Sequence, residues 1–297
     1  MNPREEGFLL LGSSLGDPER VPLSTAQLRL LARRAAAWER PGEERELAEA
    51  DLAALGIGPE LARRILQLLE DRALLQSYLR RGAKAGCVPQ TRVSAQYPLR
   101  LRRRLGTDSP GVLWAKGELS LLSQPAVALV GSRDILQKNR DFAAAVGYQA
   151  AKQGYVLISG NARGADRAAQ AECLAAGGKV ICVVADALRA QPLRNGVLYL
   201  SEGDFDQSFS PQRALSRNRV IHALGDKTFV AQCGLETGGT WSGTAQNLRY
   251  GWSDVFCFRD GSPAAALLEQ MGAVLIGPEE LSDLPALQGN IPTFFDQ

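Results

Sequence analysis

Four short segments carry the residue types that hold phosphate. In Val130-Gly131-Ser132-Arg133-Asp134, Gly131 permits close backbone approach and Ser132 offers a hydroxyl. Arg133 adds a planar fork of donors suited to phosphate oxygens. In Ile158-Ser159-Gly160-Asn161-Ala162-Arg163-Gly164-Ala165-Asp166, two glycines and another arginine lead into a new helix, whose N-terminal amides favour an anion. Asp166 falls in the first turn of that helix, where a carboxylate complements the dipole and can hold a neighbouring arginine, a structural role and not acid or base catalysis. In the third segment, Phe209 to Leu224, Arg213 and Arg217 stand four apart and share a helical face, with Asn218 next to them. The fourth, Glu236 to Ala245, is a turn rich in glycine and hydroxyls, in which Gly239, Thr240 and Thr244 can supply amides and hydroxyls to a further phosphate.

Little else in the chain points to chemistry. His222 is the single histidine and has no partner of its own kind, so it reads as a packed or surface side chain, and no catalytic residue is assigned. Cys87, Cys173, Cys182, Cys233 and Cys257 are odd in number and widely spaced, which suits reduced core thiols and lacks the paired spacing of a metal site. No metal and no cofactor are expected. The formal net charge is only +2, so affinity for a polyanion must come from where the arginines stand. The sequence shows no secretion signal and no membrane-length apolar run, which leads to the expectation of a cytoplasmic protein without membrane contact.

These segments need elements to position them. From Ala126 onward, apolar runs at Ala126 to Val130, Tyr155 to Ile158, Val180 to Val184, Lys227 to Ala231 and Asp254 to Phe258 alternate with helix-like stretches such as Asp141 to Gln153. That alternation predicts an α/β fold, a Rossmann-like, doubly wound, mostly parallel sheet covered on both faces over residues 85–297. In such folds ligands bind beyond the carboxyl ends of the strands. Residues 1–84, rich in Leu, Ala, Arg and Glu, predict a small all-helical domain, with Ser24 or Thr25 capping a helix through Leu28, Leu31 and Ala35. Within it, Leu52 to Ile65 resembles a helix-hairpin-helix, which either offers amides to a DNA phosphate or only packs its own domain. Residues Gly86 to Ser123 read as a connecting segment. Their basic run, Arg100 to Arg104, suits either a nucleic-acid backbone or a solvated face.

In this order the four elements closely resemble the DprA/Smf family of DNA-processing proteins, part of a Rossmann-like superfamily shared with the LOG nucleotide hydrolases. The resemblance runs from Gly86 to about Ile276 and includes Tyr97-Pro98, Leu113 to Gly117, Ser201-Glu202, Arg217-Asn218-Arg219, Thr244-Ala245 and Gly272-Ala273. It implies a non-catalytic protein that binds single-stranded DNA at the strand ends, self-associates as a homodimer and delivers the strand to a RecA-type recombinase in natural transformation. On the matching positions it makes Arg133 and Arg163 the main phosphate contacts, with Ser132, Ser159, Gly160 and Arg217 around them. Bases would stack on an aromatic ring beside them, for which Phe209 and Trp241 are the candidates, each of which suits a core position equally well. Three departures are expected to mark a divergent member: Gln170 where the family often has histidine, a longer and more glycine-rich Gly238 to Ala245 turn, and no C-terminal winged helix.

Two rival readings share the fold. A LOG-type phosphoribohydrolase would split a nucleoside monophosphate at its glycosidic bond, but its carboxylate position is occupied here by Asn247, which is neither acid nor base. A sensor would hold a soluble nucleotide in the same pocket.

Overall fold

The computed structural model describes residues 1–36, 38 and 47–290. Five helices come first: α1 (Pro3–Gly12), α2 (Thr25–Ala36), α3 (Glu49–Ala54), α4 (Pro59–Glu70) and α5 (Arg72–Lys84). The remainder runs β1 (Cys87–Thr91), α6 (Leu99–Leu105), β2 (Val112–Gly117), β3 (Ala126–Val130), α7 (Gln137–Lys152), β4 (Val156–Ser159), α8 (Ala165–Ala175) and β5 (Lys179–Val183). It continues through β6 (Val197–Ser201), α9 (Pro211–Leu224), β7 (Lys227–Val230), α10 (Gly238–Tyr250), β8 (Asp254–Phe258), α11 (Pro263–Gln270) and β9 (Val274–Ile276). The strands form one sheet in the order β1-β2-β6-β5-β4-β3-β7-β8-β9. The pairings from β6 to β9 are parallel, and β1 and β2 add an antiparallel edge. The doubly wound, mostly parallel architecture expected from the alternating runs is therefore present.

Each central strand is buried on both faces, because alternate side chains enter opposite cores. In β3, Val127 and Leu129 join the layer with Phe142 and Ala169, whereas Ala126, Ala128 and Val130 join the layer with Val220, Ile221 and Leu268. Full burial of each Leu, Ile, Val or Phe contributes about 1.5–3 kcal/mol before chain entropy is charged against it. The N-terminal helices share the first layer: Leu9, Leu10, Leu75 and Tyr78 pack with Trp114 and Phe205 of the sheet region. Tyr78 meets Trp114 edge-on with ring centroids 5.5 Å apart. Leu52, Ile57 and Ile65 form a smaller cluster of their own.

Residues 86–123 are not a mere connector. They supply β1 and β2, which extend the sheet beyond β6. Part of their basic run is spent inside the fold: Arg104 donates to the carbonyls of Ala223 and Gly225, and Arg100 and Arg104 both pair with Asp226. Guanidinium groups there neutralise the negative end of α9 and satisfy carbonyls that a helix terminus leaves open. The short strand β6, whose five residues are all buried, is the same kind of apolar run as its neighbours, compressed into Val197-Leu198-Tyr199-Leu200.

Candidate functional site

The chain leaves β3 toward β4, β5 and β6 on one side, and crosses back to place β7 on the other. Reversal of strand order opens a crevice at the carboxyl ends, since the loops on its two sides run in opposite directions. A cavity of ≈ 630 Å³ lies there, lined among others by Gly131, Ser132, Arg133, Asp166, Arg217 and Asn218, with Gly239 and Thr240 across from them. Eight of the residues singled out from the sequence thus share one cavity wall.

The loops interlock. The Ser132 amide donates to the Gln232 carbonyl at 2.9 Å, and the Ser132 hydroxyl reaches the same oxygen at 3.2 Å. The Ala165 amide donates to the Ser132 carbonyl at 3.3 Å, which places the start of α8 on the β3 loop. Gly164 makes this contact at φ 78°, and a Cβ there would lie 2.4 Å from the carbonyl oxygens of both Ser132 and Arg133. Asp166 organises the next loop, accepting from the amides of Gly160 at 3.1 Å and Ala162 at 3.0 Å. Burial pushes its carboxyl upward, against the pull of Arg217 and those two amides.

Arg217 stands at the centre. Its guanidinium lies so close to Gly160 that a Cβ there would come within 1.8 Å of Nη1. The residue is 9% exposed, and among the described residues it makes no hydrogen bond or ion pair, with Nε buried and unpartnered. Burial depresses its pKa, opposed chiefly by the field of Asp166. A buried cation without a partner is costly, because desolvation is not returned by any contact. An anion entering the cavity would supply the missing contact.

The remaining candidates divide. Arg133 is exposed on the wall, whereas Arg163, expected to be the other main phosphate contact, is exposed but does not line the cavity, and lies 3.8 Å from Asp134, which does. The Gly238 to Ala245 segment is the opening of α10 and not a turn; Asn218 Nδ2 donates to the Gly239 carbonyl at 2.8 Å and docks α9 against it. Gly239 and Thr240 therefore offer the free amide end of a helix to the cavity. Three assignments are corrected. Thr244 is fully buried on the inner face of α10, and Ser159 is fully buried and bonded to Gln170. Arg213 turns away, donating to the carbonyls of Gln207 and Ser208 and to the Ser201 hydroxyl. Phe209 is 49% exposed and lines the cavity, whereas Trp241 packs on the hydrophobic core, so Phe209 is the available stacking ring. Leu215, 54% exposed on the same wall, drew no role from the sequence, although an apolar residue on a basic helical face was the signal.

His222 and Asn247 sit below the site in a buried network. Asn247 bonds His222 Nδ1 at 3.1 Å, the Ser253 hydroxyl at 3.0 Å and the Ser253 amide at 3.0 Å. Burial alone lowers the His222 pKa from 6.5 to about 3. The unfolded chain takes up a proton that the folded chain refuses, so this contribution to stability is full above about pH 6.5 and is lost as pH falls toward 3. Unfolding titrations should show a loss approaching ~1.4 kcal/mol per pH unit in that window, and His222→Phe should flatten it. An unchanged slope in the variant would remove His222 as its source. Among the described residues, no cluster of metal-binding side chains and no helix long and apolar enough to cross a membrane is found.

Residues 90–259, more than half of the chain, match the family model of DNA recombination-mediator protein A. A DNA processing protein DprA from Streptococcus pneumoniae is 33% identical over 141 residues, covering 44% of this chain and 50% of its own length. That from Bacillus subtilis is 28% identical over 169 residues, covering 53% and 56%. The chain thus spans about half the length of the curated relatives it matches. The X-ray structure of DNA processing protein A from Streptococcus pneumoniae aligns with a TM-score of 0.72 at 25% identity, covering 95% of this chain and 98% of that one. A Helicobacter pylori structure, described for its unique single-stranded DNA binding mode, aligns with a TM-score of 0.55 at 22% identity, covering 66% and 94%, and shares the fold.

Proposed function

Because this chain belongs to the DNA recombination-mediator protein A family, we propose that its strand-end cavity holds the backbone of single-stranded DNA and performs no reaction on it. The observation that carries this reading is Arg217, a buried guanidinium with no hydrogen-bond partner among the described residues, on the wall of a cavity of ≈ 630 Å³. Arg133 beside it and the open amides of α10 extend the anionic seat, while Phe209 and Leu215 provide apolar surface on which bases stack. The Helicobacter pylori protein of the same fold binds single strands, which supports the same ligand here. The wider role is delivery of that strand to a RecA-type recombinase in transformation by a homodimeric, cytoplasmic protein.

A gel-shift titration of single-stranded against duplex DNA, with mononucleotides as competitors, tests the ligand. Single strands should bind tighter, with affinity falling about 0.7 log units per log unit of salt for each phosphate neutralised. Arg133→Ala should weaken binding roughly 10-fold, and Arg163→Ala only about 2- to 5-fold, because Arg163 is exposed and already beside Asp134. Unchanged affinity in both would remove these loops from the interface. The rival hydrolase would release adenine from adenosine monophosphate, and the rival sensor would let mononucleotides displace the strand fully. Asn247 favours neither, being committed to the network around Ser253.

A further inference from the structure

A carboxylate on the wall of an anion seat works against binding, and the strand-end cavity has one in Asp166. The residue is 5% exposed, so solvent screens little of its charge from a guest in the cavity. The two loop amides that it holds, from Gly160 and Ala162, bond the same oxygen, Oδ2, and among the described residues Oδ1 has no hydrogen bond. Gly160 also fixes how near the carboxylate stands to the guanidinium. Its amide meets Asp166, while its Cα is packed so closely on the Arg217 fork that a Cβ would lie 1.8 Å from Nη1. An asparagine could accept from the same two amides through its side-chain oxygen, so the loop requires the shape of Asp166 and not its charge. The charge is left to act on whatever meets Arg217.

Arg133 and Arg217 bring two positive charges to the cavity wall, and Asp166 brings one negative charge. Asp134, on the same wall, is offset by Arg163 at 3.8 Å. The balance is one positive charge, and Asp186, whose field also reaches Arg217, lowers it further. A phosphodiester, with its single negative charge, matches that balance. A terminal phosphate carries nearly two negative charges above pH ~7, because its second pKa is about 6. Desolvation rises with the square of the charge, about fourfold from monoanion to dianion, while the wall offers attraction for only one charge. The geometry points to Asp166 as the residue that makes the seat selective, admitting an internal phosphodiester of a strand and disfavouring a terminal phosphate or a free mononucleotide. This deepens the single-strand reading and rests on it.

Two probes that differ by one charge and one methyl group test this: thymidine 5′-monophosphate and its monomethyl ester. Each displaces a labelled thymidine oligonucleotide from the full-length protein at about pH 8, where the first is a dianion and the second a monoanion. Wild type is expected to hold the methyl ester roughly 10-fold tighter than the dianion. Asp166→Asn should shift that ratio by about 10-fold toward the dianion, so that the two bind alike or the dianion binds better. Asp166→Ser, which also removes the charge, is read in its place if the asparagine variant does not melt as wild type. A preference that persists undiminished in a variant with a normal melt overturns the role of Asp166. Equal binding of the two probes by wild type, or tighter binding of the dianion, overturns it without any variant. So does a methyl ester that fails to displace the strand at tens of millimolar, since a seat for one phosphodiester must hold one. In each of these cases wild type still binds the strand and the single-strand reading stands. Failure of wild type to bind the thymidine strand refutes that reading instead.

Discussion

Arg217→Ala is expected to reduce affinity for single-stranded DNA by about 30- to 100-fold, the largest loss of any single substitution at the site. Hydrogen bonds from a guanidinium to an anion contribute roughly 1.5–3 kcal/mol, and here the group is 9% exposed, where solvent screening is weak. Arg217→Lys should recover only part of the loss, because an ammonium presents a point charge where the cavity is built around a planar fork against Gly160. The stability of the free protein should change by no more than about 1 kcal/mol, since relief from an unpaired buried charge offsets the lost attraction to Asp166. Isothermal titration with parallel urea unfolding separates the two effects. Wild-type affinity in the alanine variant, or a collapse of its stability, would show that Arg217 serves the fold and not the ligand.

Gly164→Ala should destabilise the protein by about 2–4 kcal/mol and remove strand binding with it. The residue has φ 78° and ψ −124°, a conformation open in practice to glycine, so a side chain adds backbone strain of roughly 1–2 kcal/mol. The new Cβ would also stand 2.4 Å from two carbonyl oxygens of the β3 loop, and backbone cannot swing aside as the end of a side chain can. Relief requires α8 to lift from that loop, which would carry Asp166 and the Gly160 amide out of register with Arg217. A urea midpoint equal to wild type, with binding retained, would show that the two loops are not coupled through this contact. Gly160→Ala provides the contrast: its clash is with the Arg217 side chain, so binding should fall more than stability.

Much of this could be read from residue order, because the relevant forces are local. An apolar run bounded by glycines becomes a central strand wherever it falls, so β3, β4, β5, β7 and β8 were legible from their composition. The glycine and arginine loops were legible for the same reason, since close backbone approach and a cationic fork depend on side-chain type alone. Which of those residues reach the cavity was not. Ser159 and Thr244 look the same in sequence as Ser132 and Thr240, yet the first pair is fully buried and the second lines the cavity. Arg213 and Arg217 look equivalent at a spacing of four, but neighbouring carbonyls capture one, and among the described residues no hydrogen-bond acceptor captures the other. Strand order, which decides where the crevice opens, and the docking of α1 against Trp114 depend on contacts between distant segments. Their energies arise only when those surfaces meet, and for that reason no window along the chain contains them.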